Sequence, residues 1–143
     1  MTSALQTAMR LATILVCLLA ATACDESPTG PSVSIDARFT LAPGETASVQ
    51  GRGVTLRFEG VTGDSRCPGD AICITGGDAV VKIVASGDGG TLSLDLHTGD
   101  SSRGSVTYGN VKVTLVELSP YPFSSQPAIK PGDYRATLVV SVS

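Results

Sequence analysis

Two cysteines close together in the chain are the first residues that could carry chemistry. Cys67 and Cys73 lie six positions apart, between two stretches of strand-like pattern. In an oxidising compartment such a pair is expected to form a disulfide, and Pro68-Gly69 supplies a turn that brings the thiols together. Closing so short a loop contributes about 2 kcal/mol to stability in the chain-entropy model.

Metal or redox chemistry fits these cysteines poorly. A structural zinc site usually has four ligands, often as paired C-x2-C elements, whereas this chain offers two thiols here and a single histidine, His97. A thioredoxin-type site has C-x-x-C beside a helix N-terminus, and here five residues separate the thiols. The sequence therefore predicts a structural disulfide, with no metal and no cofactor.

Three charged residues accompany the cysteines: Asp64, Arg66 and Asp70. They form a candidate binding loop. Asp64 and Arg66 are also expected to hold this loop through a local ion pair or backbone hydrogen bonds, and near the surface such a pair is worth about 0–1 kcal/mol. Whether the loop is functional or only structural stays open from the sequence.

The rest of the chain shows no catalytic set. His97 falls on the polar phase of a strand-like run and is predicted to be a lone surface histidine. No second histidine is present to form a nucleophile–base pair, and no serine lies in G-x-S-x-G. The acidic residues lack the spacing of a calcium loop. We therefore expect no catalytic residue and a protein that is not an enzyme.

An export segment precedes all of these residues. Arg10 is followed by the apolar run 11–20, by the small residues 21–23 and then by Cys24. This order is typical of a secretory signal peptide, here residues 1–23. The run is shorter than the roughly 20 apolar residues of a membrane-spanning helix.

The residues Ala21-Thr22-Ala23-Cys24 resemble the lipobox of bacterial lipoproteins. The resemblance implies a diacylglyceryl thioether on Cys24, which becomes the mature N-terminus and carries two or three acyl chains such as palmitate. Acylation would leave Cys67 and Cys73 as an even pair in the mature chain. The alternative is an ordinary signal peptidase that cuts the same bond and leaves Cys24 as a free thiol.

A tether and one domain follow. Residues 25–32 are only polar or turn-forming, so residues 24–32 are predicted to be a lipidated cysteine and flexible linker, and residues 33–143 a single domain. Apolar and polar residues alternate along 33–41 and along several later runs separated by Gly, Pro and Asp. This pattern predicts an all-β fold, a small antiparallel β-sandwich of Ig-like proportions, with a small β-barrel as the alternative.

Three local patterns add detail to this prediction. The more continuously apolar run 79–85 predicts a central strand, and Asp88-Gly89-Gly90 predicts a hairpin. Four prolines in residues 119–133 predict one long, restricted loop.

The charge distribution excludes some classes of binding partner. The net charge is −3, and removal of residues 1–23 leaves nine basic and thirteen acidic residues. Because the basic residues are scattered singly, no nucleic-acid partner is expected. Electrostatic docking on anionic lipid is also unfavourable, so membrane attachment is expected to be covalent.

A second resemblance covers most of residues 39–140. The run D-S-R-C-P from Asp64, with Cys73 and Gly77, is similar to a segment of uncharacterised exported bacterial proteins, many of them lipoproteins. The runs Leu118-x-Pro120-Tyr121-Pro122 and Asp133-Tyr134-x-Ala136-x-Leu138 are similar to the same group, whereas Thr75 stands where an aromatic residue is common. The resemblance implies no activity.

These observations predict an exported protein, lipid-anchored at the cell membrane or outer membrane. Its β domain is expected to be a non-enzymatic binding or structural module, with an envelope protein or glycan as its ligand. The alternatives are an inhibitor of exported proteases that acts through the Cys67–Cys73 loop, and a hydrolase with an unrecognised site.

Overall fold

The computed structural model describes residues 30–143, which fold into two stacked β-sheets. In this part of the chain the regular elements are nine strands and a 3₁₀ turn, Pro131–Asp133. Neither sheet closes on itself, so the predicted β-sandwich is confirmed and the barrel alternative is wrong. No helix in residues 30–143 is long and apolar enough to cross a membrane.

One sheet has five strands: β1 (Ser32–Val33), β3 (Thr46–Val49), β4 (Val54–Asp64), β5 (Ala79–Gly87) and β6 (Gly90–His97). Their order is β1-β3-β4-β5-β6. The β1–β3 pair is parallel and the other pairs are antiparallel. β5 is an inner strand, and Gly87 pairs with Gly90 across the predicted hairpin turn.

The other sheet has four strands: β2 (Arg38–Leu41), β7 (Ser105–Tyr108), β8 (Val111–Ser119) and β9 (Arg135–Val142). Their order is β2-β9-β8-β7, and all pairs are antiparallel. β8 and β9 are joined by the long proline-rich connection that the sequence predicts, which contains one cis peptide bond, Ser119–Pro120.

Alternate side chains of both sheets face inward and form a single core. Its fully buried members include Leu56, Phe58, Ile83, Leu96, Leu41, Val113 and Leu138. Burial of a side chain of this size is worth about 1.5–3 kcal/mol. The alternation of apolar and polar residues in the sequence thus arises because each sheet buries one face in the shared core and exposes the other.

The alternating run 33–41 does not form one continuous strand. It forms β1 and β2, which belong to different sheets. The chain crosses between them at Asp36, whose φ is 61° and whose backbone N–H donates to the carbonyl oxygen of Val140 at 2.7 Å. Aspartate adopts this left-handed conformation more readily than most residues. Because both halves bury a face in the same core, the alternation continues across the break.

Three connections gather at one end of the sandwich, which we call the loop end. β4 ends there opposite the start of β5, and β6 also ends there, since His97 pairs with Val80. β8 ends beside them, because the Arg66 side chain reaches the carbonyl oxygen of Leu118. The loop end therefore carries residues 65–78, 98–104 and 120–134.

Candidate functional site

The disulfide loop, residues 65–77, is closed at its base by backbone contacts. Ser65 N–H donates to the carbonyl oxygen of Asp78 at 2.7 Å, and Cys67 N–H donates to that of Gly76 at 2.8 Å. Cys67 and Cys73 form a disulfide with their Cα atoms 6.0 Å apart. The loop is thus closed twice, by the strand-like base and by the predicted disulfide.

Arg66 anchors this loop inside the loop end. Its Nε and Nη2 donate to Asp64 Oδ1 and Oδ2 at 2.9 and 2.7 Å. The same guanidinium donates to the carbonyl oxygens of Leu118 at 2.7 Å and Pro120 at 3.0 Å. One side chain therefore ties the disulfide loop to the end of β8.

The ion pair is more buried than the sequence indicates. The Arg66 and Asp64 side chains are 5% and 13% exposed, so the ion pair lies inside the loop end and not in open solvent. Removing one partner of a buried pair costs about 3–5 kcal/mol, because the other charge stays buried without compensation. The predicted ion pair and a backbone hydrogen bond from Arg66 N–H to Asp64 are both present.

The protonation of Asp64 reflects this environment. Burial opposes its ionisation, but the Arg66 guanidinium, the Arg66 backbone N–H and the Tyr134 hydroxyl outweigh burial and hold the Asp64 pKa below its ordinary value. The Tyr134 hydroxyl donates to Asp64 Oδ2 at 3.0 Å. Burial and this bond to the carboxylate raise the pKa of Tyr134. Both groups are therefore fixed in their ordinary neutral-pH forms.

Asp70 ties the disulfide loop to the proline loop, residues 120–134. Its carboxylate accepts the backbone N–H groups of Ser124 and Ser125 at 2.6 and 2.9 Å. These bonds hold the pKa of Asp70 well below its usual range. Next to it, Gly69 N–H donates to the carbonyl oxygen of Pro122 at 2.9 Å. The two loops also pack closely at Gly69, where a Cβ atom would lie 2.8 Å from the Phe123 ring.

The side chains of all three charged residues of the candidate binding loop thus make contacts within the protein. Four large apolar side chains of these two loops are exposed beside polar residues such as Asp70 and Ser124. Ile72 and Ile74 are 105% and 106% exposed, and Tyr121 and Phe123 are 49% and 40% exposed. We call these four side chains the apolar platform.

Sequence reasoning missed the platform, although one signal was present. The apolar pair on either side of Cys73 belongs to no alternating run, so it has no place in the core pattern. The aromatic pair of the proline loop contacts edge to face with ring centroids 6.4 Å apart. The Arg66 guanidinium carbon also lies over the Tyr121 ring, 5.2 Å from the ring centroid. This contact joins the platform to the buried ion pair.

His97 is also placed differently from its prediction as a lone surface residue. Its side chain is 14% exposed, and Nδ1 lies 2.6 Å from Asp78 Oδ2. Burial opposes ionisation of Asp78, but its contacts with His97, the Gly99 N–H and the Thr98 hydroxyl lower its pKa. The other ring nitrogen of His97 lies 3.4 Å from the Arg103 guanidinium. Asp78 therefore organises the loop 98–104.

Three hollows border Arg66, with volumes of about 650, 500 and 380 Å³. The largest lies beside the ends of β6 and β8 and includes His97 and Glu117 in its wall. Tyr121 lines the two larger hollows, and Phe123 lines the smallest. The aromatic side chains of the platform therefore border every one of these three depressions.

Residues 30–143 contain no group of three or more His, Cys, Asp or Glu side chains placed to hold a metal ion. The predicted lipidation residue, Cys24, and the signal peptide lie outside the described residues. Comparison of the chain with family models, curated proteins and solved structures found no match.

Proposed function

We propose that this protein is a lipid-anchored, non-enzymatic binding module of the bacterial cell envelope, and that the apolar platform is its contact surface. The observation that carries the proposal is that two apolar side chains are fully exposed on a loop that is itself held in place by internal contacts. Ile72 and Ile74 are completely exposed on a loop that is held by a disulfide, a buried ion pair and the Asp70 contacts.

Exposure of these side chains has a thermodynamic meaning. A fully exposed isoleucine gains nothing from folding, whereas burial against a partner gains about 1.5–3 kcal/mol for each side chain. Exposed apolar clusters on soluble domains commonly mark interaction sites. A loop that is already ordered also loses little conformational entropy on binding.

The anchor half of the proposal rests on the sequence. Residues 1–24 have the order of a lipoprotein signal peptide, and acylation of Cys24 accounts for the otherwise odd cysteine. The intact mass of the protein from the membrane fraction of a lipoprotein-processing host tests it. We expect residues 24–143 plus a diacylglyceryl group and further acyl chains, less two hydrogens for the disulfide. An unmodified chain in the soluble fraction refutes the anchor.

Photocrosslinking in living cells tests the contact surface. A photoreactive benzoylphenylalanine replaces Ile74 in one variant and Leu92 in a control. Leu92 is also exposed but lies near the β5–β6 hairpin, far from the loop end. We expect adducts from position 74 and none from position 92. Equal yields, or no adduct from either position, refute the platform as the contact surface.

The same loop supports a second candidate, an inhibitor of exported proteases. Ile72 and Ile74 project on either side of a disulfide-bonded Cys73, an arrangement that could present an apolar residue to a protease pocket at low entropic cost. Titration of elastase-type proteases with the protein tests this candidate. An inhibitor blocks them stoichiometrically and loses the effect on Ile72→Asp; full protease activity at micromolar protein excludes it.

A further inference from the structure

We infer that the partner of the Ile72–Ile74 tip is the lipid bilayer itself, so that the domain touches the membrane at two points, its anchor and its disulfide loop. The inference rests on the lipid anchor of the proposed function. It is carried by the direction in which the chain enters the sandwich, the length of the tether and the chemistry of the two tied loops.

Strand direction places the chain entry on the side of the loop end. β1 runs parallel to β3, and β3 runs from Thr46, opposite Arg57, to Val49, opposite Val54. β4 continues in the other direction from Arg57 to its end at the disulfide loop. The residues before β1 therefore arrive from the loop end.

Contacts at the start of the described chain fix this entry. The Pro31 carbonyl oxygen accepts from Ser48 N–H at 3.0 Å. Gly30 lies so close to the carbonyl of Thr46 that no Cβ atom fits there. The tether thus leaves the domain beside Thr46, part of the way up the sandwich.

The tether is short compared with the domain. Cys24 precedes Gly30 by six residues, which span at most about 21 Å when fully extended. Thr46 lies at the level of Val84 in β5, through Arg57 of β4. Val84 is five residue steps from Ala79 at the end of the sheet, a distance of about 17 Å. A lipid on Cys24 therefore reaches at most about 4 Å past the end of the sheet, and a bilayer that holds it lies close to the platform.

The chemistry of the two loops suits an interface with lipid. Among residues 67–76 and 120–129 the only charged residue is Asp70, which is exposed and whose carboxylate accepts two backbone N–H groups. Ile72 and Ile74 form the apolar tip. Tyr121 and Phe123 lie on the proline loop, which is bonded to the disulfide loop at Asp70, and aromatic side chains are enriched at the level of lipid headgroups.

A bilayer also fits the size of the tip better than a protein partner. A stable protein–protein interface buries about 800 Å² on each side and involves some 20–30 residues, which four side chains do not supply. A second contact beside an existing anchor needs little affinity, because the anchor makes the local concentration of lipid high. Two isoleucines are enough to orient a tethered domain.

Tryptophan fluorescence tests the inference directly. The chain has no tryptophan, so Ile74→Trp and Ile72→Trp each introduce a single reporter at a fully exposed site, and Leu92→Trp is the control. Each lipidated variant is reconstituted in phosphatidylcholine–phosphatidylglycerol vesicles with or without brominated acyl chains. We expect the emission of both loop reporters to shift to shorter wavelength and to be quenched by bromine, and that of the control to do neither.

The outcomes separate this inference from the proposed function. Loop reporters that stay unquenched on membrane-bound protein overturn the bilayer contact, as does equal quenching at position 92. If position 74 at the same time crosslinks to an envelope protein in cells, the platform still binds, but its partner is that protein. Protein that carries no lipid and does not float with vesicles refutes the anchor, and the bilayer contact with it.

Discussion

At the scale of single residues, the loop end depends on Arg66 more than on any exposed group. Its guanidinium neutralises Asp64 and also donates to two carbonyl oxygens of another chain segment. Loss of this side chain leaves a buried carboxylate and two carbonyl groups without their donors. Groups of this kind are costly to bury alone.

Arg66→Met is therefore expected to lower the free energy of unfolding by about 3–5 kcal/mol. The double variant Asp64→Asn with Arg66→Met is expected to lose less than the sum of the two single changes, because it leaves no unpaired charge. Urea unfolding measures all three. Arg103→Met is the matched control, since its pair with Asp100 is exposed and worth about 1 kcal/mol or less. Equal losses for Arg66→Met and Arg103→Met contradict the account.

The acidic residues of the loop end give stability a defined pH dependence. Asp64, Asp70 and Asp78 have folded-state pKa values below the ordinary 3.8. A carboxyl group with a lowered pKa contributes stability that is fully present above its unfolded pKa and is lost as pH falls through the folded pKa.

We therefore expect these groups to contribute a constant amount between pH 7 and about pH 5, and a falling amount below about pH 4. Unfolding in urea at several pH values measures this, with Asp64→Asn as the comparison. The variant is expected to show a shallower decline in acid than the unchanged protein. An identical decline in both proteins argues against the role given to Asp64.

At the scale of elements, the disulfide loop and the proline loop act together, although 40 or more residues separate them in the chain. The sandwich core lies between the sheets and contains neither Cys67 nor Cys73. The cysteines instead limit the conformations of the short segment that presents Ile72 and Ile74. We therefore expect their removal to affect the loop more than the fold.

The paired change Cys67→Ser and Cys73→Ser is expected to lower the free energy of unfolding by about 2 kcal/mol while the sandwich stays folded. Limited proteolysis is expected to cut the variant first within residues 67–76. Circular dichroism and mapping of the cleavage sites measure the two effects. A variant that loses its strand signal, or a loop that resists cleavage as before, contradicts this division of roles.

Strand content was predictable from the sequence, and sheet membership was not. Alternation shows that one face of a segment is buried, but both sheets bury their faces in the same core, so the crossing at Asp36 leaves no trace in the pattern. The disulfide was predictable from the spacing of the two cysteines and the expected oxidising compartment. The platform was not predictable, for two reasons. The contacts that bring its two loops together are distant in sequence, since the carbonyl partners of Arg66 lie 52 and 54 residues away. Exposed apolar residues also carry no periodic signal.

At the scale of the whole molecule, the sandwich carries the proposed contact surface at one end. The chain enters the sandwich on the side of that end, and the proposed lipid anchor precedes it. We expect a domain anchored in this way to present the same face to its surroundings whenever its loops stay ordered. The order of the two loops in the free protein is thus the property on which both proposals depend.

Amide hydrogen exchange on the free protein measures that order most directly. We expect the N–H groups of Cys67, Gly69, Ser124 and Ser125 to exchange far more slowly than in an unstructured peptide, because each is bonded within the loop end. The Asp70→Ala variant is expected to release the two serine amides and leave the strand amides unchanged. Exchange at the unstructured rate at all four positions of the unchanged protein would contradict a preformed platform.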